Sequence, residues 1–268
     1  MDSHEAALPV STSSRVTPRR PRNVVGSSDS TSNSDAPRAS TLSITGPGGD
    51  FEPRERSEFA SQLFNGVAAL VLFAVALPLM LFTALVIRLT SRGPVLYTQT
   101  RVGIDRRWNR TRALHERRRE DLGGSPFTIY KFRSMSVDAE ANGHAVWATE
   151  NDARVTAVGK IIRKTRLDEL PQLYNVLRGD MNIVGPRPER PSIFIRLREQ
   201  IAEYPLRQRV KPGITGMAQV YHTSDRSVED VRRKVQFDLE YMSRQSLLED
   251  IRIMCLTVPV MLFRIGGW

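Results

Sequence analysis

The strongest pattern in the chain is one long uncharged stretch: residues 59–87 contain no Asp, Glu, Lys or Arg. Within it, Gly66 to Ile87 is 22 residues in which Thr83 is the only hydrogen-bonding side chain. As a helix such a segment reaches about 33 Å, enough to cross a hydrocarbon core. It starts too late and runs too long for a cleaved secretory signal, so it is expected to meet lipid. Pro78, near its middle, removes one backbone donor and crowds the preceding turn, which predicts a kink near Val75–Leu77. Arg54 and Arg56 precede the segment and Arg88 and Arg92 follow it. Cations on both flanks remove the asymmetry that sets a spanning orientation. Two arrangements stay open on these grounds: a kinked spanning helix, or a broken helix that dips in and returns to the same face.

Beyond residue 88 the apolar period shortens. Val95–Gln99, after the Gly93-Pro94 turn, reads as a strand, and so does Phe127–Tyr130. The second leads into Lys131-Phe132-Arg133, where alternation puts both cations on one face, opposite Phe132. Gly159–Lys164 has helical character. Pro171 fits only a first helical turn and Gly179 is a natural stop, which predicts a helix from about Leu167–Asp168. Its buried stripe would hold Leu170, Leu173, Tyr174 and Leu177. Met181–Val184 reads as a short strand running into a rigid turn, Gly185-Pro186-Arg187-Pro188-Glu189. Lys211–Gly216 reads as a loop and Met217–Tyr221 as a strand. Ser227-Val228-Glu229-Asp230 resembles a capping box opening a helix with Val228, Val231, Val235, Leu239 and Met242 on one face. Leu247–Phe263, interrupted by Pro259, is too short to span and suits an interface.

Composition then divides the 268 residues. The first 53 hold 11 Ser, 5 Thr and 6 Pro. They bury too little apolar surface to offset chain entropy, which predicts a disordered tail over 1–58. A membrane helix over 59–88 and a domain over 89–268 follow, the latter long enough for a sizeable core. The net charge of +10 is uneven: 5 Lys and Arg face 6 Asp and Glu through residue 53, against 34 and 23 afterwards. A basic domain beside a membrane segment suits nucleic acid, an anionic bilayer or a phosphorylated substrate. Seven Arg crowd residues 104–124, with Trp108 and Leu114, and read as a solvated surface insert. The single cysteine, Cys255, excludes an internal disulfide and fits a reducing compartment.

Asp168-Glu169 is the sharpest chemical feature. An Asp at a helix start can be only an N-cap. Here, however, Arg163, Lys164 and Arg166 precede the pair and Arg187 follows in a proline-stiffened turn. A carboxylate can attack phosphorus to form an acyl phosphate, and a second can hold Mg²⁺ together with substrate phosphates. Arginines clamp phosphoryl oxygens and stabilise developing charge. The four His are scattered, and no zinc, Walker or Ser/His/Asp signature appears.

Five motifs, in order, resemble the monotopic phosphoglycosyl transferases, the bacterial sugar transferases that start exopolysaccharide and other surface-glycan assembly. They are Phe127-Thr-Ile-Tyr-Lys-Phe-Arg-Ser-Met135, Arg163-Lys-Thr-Arg-Leu-Asp-Glu-Leu-Pro-Gln-Leu173, Asn175-Val-Leu-Arg-Gly-Asp-Met181, Val184-Gly-Pro-Arg-Pro-Glu189 and Arg209-Val-Lys-Pro-Gly-Ile-Thr-Gly-Met-Ala-Gln219. The resemblance implies an α+β, mostly helical cytoplasmic domain with a few short strands. That domain would be attached to one re-entrant membrane helix kinked at Pro78 and to interfacial amphipathic helices. It implies transfer of a sugar-1-phosphate from a nucleotide diphosphate sugar, usually UDP-linked, to polyprenyl phosphate at the inner membrane, with release of UMP and no nucleic acid involved. Asp168 would be the nucleophile that becomes a phosphoaspartate, and Glu169 would bind Mg²⁺. Lys131, Arg133, Arg163, Arg187 and Lys211 would bind substrate phosphate.

Three departures stand out. Leu77 replaces the Ser frequent before the proline, Arg166 replaces a small polar residue, and compact members lack the 104–124 insert. Charge and anchor alone would also suit a membrane-tethered polyanion-binding scaffold without turnover.

Overall fold

The computed structural model describes residues 51–108, 121–139, 152–222 and 227–263. Most of the predicted tail and residues 109–120 of the basic insert lie outside the described residues.

The uncharged stretch forms α1, Glu58–Thr90, a 33-residue helix that continues through Pro78. The chain stays helical through the proline: one missing donor is tolerated when packing holds the helix on both sides of it. Its most apolar window has a mean hydropathy of 2.8 and is only 17% buried within the protein, so it is long and apolar enough to cross a membrane. What is buried forms a single stripe: Ser61, Asn65 and Ala69 in the first half, Thr83 and Ile87 in the second. Phe73, Met80 and Ala84 continue it, partly buried against the two apolar clusters of the domain. The stripe keeps the three- and four-residue spacing of one helix face. Asn65 is the polar pin: its amide donates to the Ser61 carbonyl at 2.8 Å and accepts from the Ile183 N–H at 2.7 Å.

Residues 51–57, grouped with the tail by composition, are pinned to the folded body. The Arg54 N–H donates to the Met242 carbonyl (2.9 Å), Gln245 donates to the Arg54 carbonyl (2.8 Å), and Arg56 pairs with buried Asp250 at 2.8 Å.

After α1 comes an antiparallel hairpin, β1 (Leu96–Val102) and β2 (Pro126–Phe132), with Tyr97 opposite Lys131 and Arg101 opposite Phe127. The basic insert leaves and re-enters at its tip, where Gly103 and Ser125 share a backbone hydrogen bond at 2.9 Å. Helix α2 (Ala157–Lys164) and a 3-10 turn at Leu167–Glu169 precede α3 (Gln172–Leu177). Helix α3 thus begins later than predicted, beyond Pro171. Because Pro171 has no N–H to give, the preceding residues close on i→i−3 bonds: Glu169 N–H to the Arg166 carbonyl and Leu170 N–H to that of Leu167. The later start turns the helix, so Gln172, Leu173, Asn175 and Val176 are buried while Tyr174 and Leu177, predicted inside, are exposed. Asn175 closes the free edge of β2, accepting from the Tyr130 N–H and donating to the Thr128 carbonyl.

A second, parallel pair joins β3 (Asn182–Val184) to β4 (Gly213–Thr215). The crossover carries α4 (Pro191–Gln200) and a 3-10 turn at Tyr204–Arg209. Two expectations change here. Residues 213–215 are a strand rather than a loop, and Met217–Tyr221 is a helix, α5, rather than a strand. Val220 and His222 donate to the carbonyls of Gly216 and Ala218, closing a turn that buries Met217 and Ala218. Gly213 permits β4: a Cβ there would stand 2.1 Å from the Gly185 nitrogen. Gly213→Ala is therefore expected to cost about 1–3 kcal/mol by overpacking. Thermal melts in detergent would show this, and an unchanged midpoint would count against the tight β3–β4 approach.

Helix α6 (Val228–Arg244) opens with the predicted capping box, Ser227 and Asp230 exchanging hydrogen bonds at 3.1 Å. Val231, Val235, Leu239 and Met242 are buried and Val228 is exposed. Helix α7 (Leu247–Phe263) ends the described chain, with Leu248, Ile251 and Val258 exposed.

Candidate active site

The 3-10 turn sets the site. Thr165 ends α2, and Arg166 then takes a left-handed conformation (φ 57°), the position after a helix end that usually holds glycine. This reversal ends α2 and opens the turn that carries Asp168 and Glu169. Leu167 packs into the small cluster of Ile87, Phe132 and Ile162, which also takes Met80 and Ala84 of α1. The residue before the carboxylate pair is therefore seated against the second half of the membrane-grade helix. Asp168 does not stand at the start of an α-helix as predicted, because the 3-10 turn and Pro171 separate it from α3.

Glu169 is 8% exposed and gathers the cations. Its Oε1 accepts from Arg187 Nη2 at 2.6 Å and from Lys131 Nζ at 3.0 Å, with Arg166 Nη1 at 3.9 Å. Lys131 Nζ also lies 3.9 Å from Asp168 Oδ2. Burial alone would raise the Glu169 pKa, but Arg187, then Lys131 and Arg166, hold it well below the ordinary glutamate range. Asp168 goes the other way. Burial and then the Glu169 charge raise its pKa, and Lys131, Arg163 and Arg187 pull it only part of the way back. Neighbouring carboxylates thus acquire different roles. Glu169 is held in its ionised form by the cations it touches, and Asp168 is the more basic carboxylate of the two.

Arg187 is held from several sides. Its carbonyl accepts from Arg207 Nη2 at 3.2 Å, and Arg207 is paired with Asp238 at 2.6 Å, both buried. The Pro188 carbonyl accepts from Arg101 Nη1 at 3.1 Å, and Gly213 N–H donates to the Pro186 carbonyl at 2.9 Å. Upstream, Asn65 fixes the β3 backbone that leads into this turn. One helix therefore braces both halves of the site.

The structure brings together Lys131, Arg163, Arg187, Asp168 and Glu169, and separates two other candidates. Strand β2 ends at Phe132, and Arg133 turns to the end of α1, donating to the carbonyls of Arg92 (2.8 Å) and Ser91 (2.9 Å). Its guanidinium binds the carbonyls of the two residues that follow the helix. Lys211 faces Arg106, Glu58, Asp180 and Arg56 rather than the carboxylate pair. Arg101, Glu189, Arg207 and Asp238 were not legible as site residues. Only Arg101 had a signal, the alternation Tyr97, Gln99, Arg101, visible once β1 is carried past Gln99. Among the described residues no group of three or more His, Cys, Asp or Glu side chains is placed to hold a metal ion.

A cation-ringed carboxylate pair lodged on a membrane-grade helix defines the class, and comparison with known proteins agrees. The bacterial sugar transferase model matches residues 56–264, and the chain belongs to that family. It is 39% identical over 219 residues to a UDP-N-acetylgalactosamine-undecaprenyl-phosphate N-acetylgalactosaminephosphotransferase of Aeromonas hydrophila, covering 82% of this chain and 47% of that protein. It is 39% identical over 218 residues to a UDP-glucose:undecaprenyl-phosphate glucose-1-phosphate transferase of Caulobacter vibrioides, covering 81% and 74%. A protein of the same name from Escherichia coli is 42% identical over 194 residues, covering 72% and 38%. The chain thus spans less than half of the Aeromonas and Escherichia proteins and about three quarters of the Caulobacter one.

Proposed function

We propose that this chain transfers a sugar-1-phosphate from a UDP-sugar to polyprenyl phosphate, releasing UMP, as a first step of surface-glycan assembly. The observation that carries this reading is the split carboxylate pair: a basic, buried Asp168 beside a Glu169 whose charge is already met by Lys131 and Arg187. An Asp168 oxygen attacks the phosphorus that bears the sugar, and the bond to the bridging oxygen breaks, so UMP leaves with that electron pair. An oxygen of the lipid phosphate then attacks the same phosphorus, and the bond to Asp168 breaks, restoring the carboxylate. Lys131, Arg163 and Arg187 meet the charge of the transferring group. With no group of three or more acidic, His or Cys ligands among the described residues, a Mg²⁺ here would be held by Glu169 and completed by phosphate oxygens. Bound there, Mg²⁺ would neutralise charge on the phosphates.

The reading also takes α1 as re-entrant, with the domain on the cytoplasmic face. Its support is the buried stripe from Ser61 to Ile87: both halves of the helix pack on the same folded body, while the other faces expose Leu, Val and Phe. After Cys255→Ser, the variants Glu55→Cys and Arg92→Cys are expected to react with an impermeant thiol reagent from one side only. Labelling from opposite sides would establish a spanning helix.

Turnover is tested with membranes holding the chain, a panel of UDP-sugars, polyprenyl phosphate and Mg²⁺. The expected result is UMP release matched by sugar phosphate on the lipid. Salt-sensitive binding of polyanions with no product would favour a scaffold instead. The pH profile gives a second check. Asp168 must be ionised to attack, and Lys131 favours that form, so Lys131→Met raises the Asp168 pKa. The acid limb of kcat/KM is expected to move to higher pH by about one unit. A limb that stays put or moves to lower pH counts against Asp168 as the titrating group.

A further inference from the structure

The inner face of β1 carries the polar row Tyr97, Gln99 and Arg101, on the side from which Lys131 reaches the carboxylates. Arg101 is only half engaged. Its Nη1 donates to the Pro188 carbonyl at 3.1 Å and to Glu189 Oε1 at 3.3 Å, whereas its buried Nε has no partner. The Nε–Nη2 edge is the one that grips a phosphate or carboxylate with two parallel bonds. Two residues away, Gln99 donates to Tyr97 Oη at 2.7 Å and leaves Oε1 buried without a partner. Two orphaned polar atoms on one strand face, beside a reactive carboxylate, need an explanation.

Their place suggests it. The charges that act most on Asp168 include Lys131 and Arg187. Arg187 is also among those acting most on Arg101, and Arg101 among those acting on Lys131. The contacts agree: Lys131 and Arg187 hold Glu169, next to Asp168, and Arg101 holds the carbonyl of Pro188, next to Arg187. With Lys131 and Arg187 meeting the phosphoryl group attacked by Asp168, Arg101 is the neighbouring cation left for the group opposite the attacking oxygen. In an in-line displacement the departing and arriving groups of a two-step transfer use that same opposite position in turn.

We propose that the unpartnered Nε edge of Arg101 forms one phosphate subsite shared by the departing nucleoside monophosphate and the arriving lipid phosphate. The proposal rests on the sugar-phosphate transfer reading given above. A single subsite used in both half-reactions makes the two phosphate monoesters compete, and makes one substitution weaken both.

The test uses the full chain in membranes or detergent, with Arg101→Lys and Arg101→Met. Lysine keeps a cation and a donor for the turn but lacks the two-pronged edge. Two quantities are measured: the UMP concentration that half-saturates UMP–UDP-sugar exchange, and the KM for polyprenyl phosphate. Both are expected to rise together, roughly tenfold in Arg101→Lys and more in Arg101→Met, on the scale of a lost charged hydrogen bond. UMP should compete with polyprenyl phosphate in the wild-type chain. Equal KM values in a folded Arg101→Lys variant, or a fall in kcat alone, would overturn the subsite and leave Arg101 a brace for the Arg187 turn. A rise in only one of the two constants would overturn the sharing. If the wild-type chain gives neither exchange nor transfer with any UDP-sugar, the underlying reading fails instead.

Discussion

Asp168→Asn is expected to abolish sugar-phosphate transfer, lowering kcat by about 10³-fold or more, the scale at which covalent nucleophiles are lost. Asparagine fills the same space but cannot form the acyl phosphate. Wild-type chain incubated with UDP-sugar alone should gain a hexosyl phosphate on Asp168, visible by mass spectrometry of the quenched protein, and the variant should gain none. Stability separates this loss from misfolding. Folding raises the Asp168 pKa, so the ionised carboxylate opposes the folded state above that pKa, and a neutral amide removes the penalty. At neutral pH the variant should melt at or above the wild-type temperature. A variant that still releases UMP at the normal rate would remove the covalent route.

The largest effect on stability is expected away from the reacting atoms, at Asp238. Arg207 and Asp238 form a buried pair at 2.6 Å, and Arg207 also carries the Arg187 carbonyl. Asp238→Ala leaves a buried guanidinium without its anion, which costs about 3–5 kcal/mol. For a domain of this size the melting temperature should fall by roughly 6–20 °C. Removing both charges, as Arg207→Met with Asp238→Leu, should recover much of that loss, because apolar side chains of similar volume avoid the desolvation cost. Transfer activity should not recover, since the Arg187 turn would still lack its donor. Melting and turnover of the two variants together test this brace. A double variant with wild-type activity would show that the turn holds itself.

Much of this was legible because it is local. The membrane-grade helix follows from 29 uncharged residues in a row, the start of α6 from Ser227 and Asp230 three apart, and the candidate carboxylates from their adjacency. Local signals misled where tertiary contacts outweighed them. Alternation put Lys131 and Arg133 on one face, yet β2 stops between them, and the carbonyls of Ser91 and Arg92, just after α1, draw Arg133 away. Met217–Tyr221 looked extended, but a five-residue segment carries too little periodicity to choose between strand and helix, and burying Met217 and Ala218 chose the helix.

The amino-acid order by itself determined that this chain has one lipid-seeking helix, a basic domain and a carboxylate pair suited to phosphorus, because hydropathy, charge and adjacency are properties of neighbours in the chain. Only the tertiary structure decided that Lys131 and Arg187 pair with Glu169 while Asp168 stays basic, that Arg101 holds the turn after Arg187, and that Asn65 and Leu167 brace the site on one helix. Those outcomes depend on which distant groups share a buried, weakly screened space, and burial and Coulomb energy there are set by distance in three dimensions rather than along the chain.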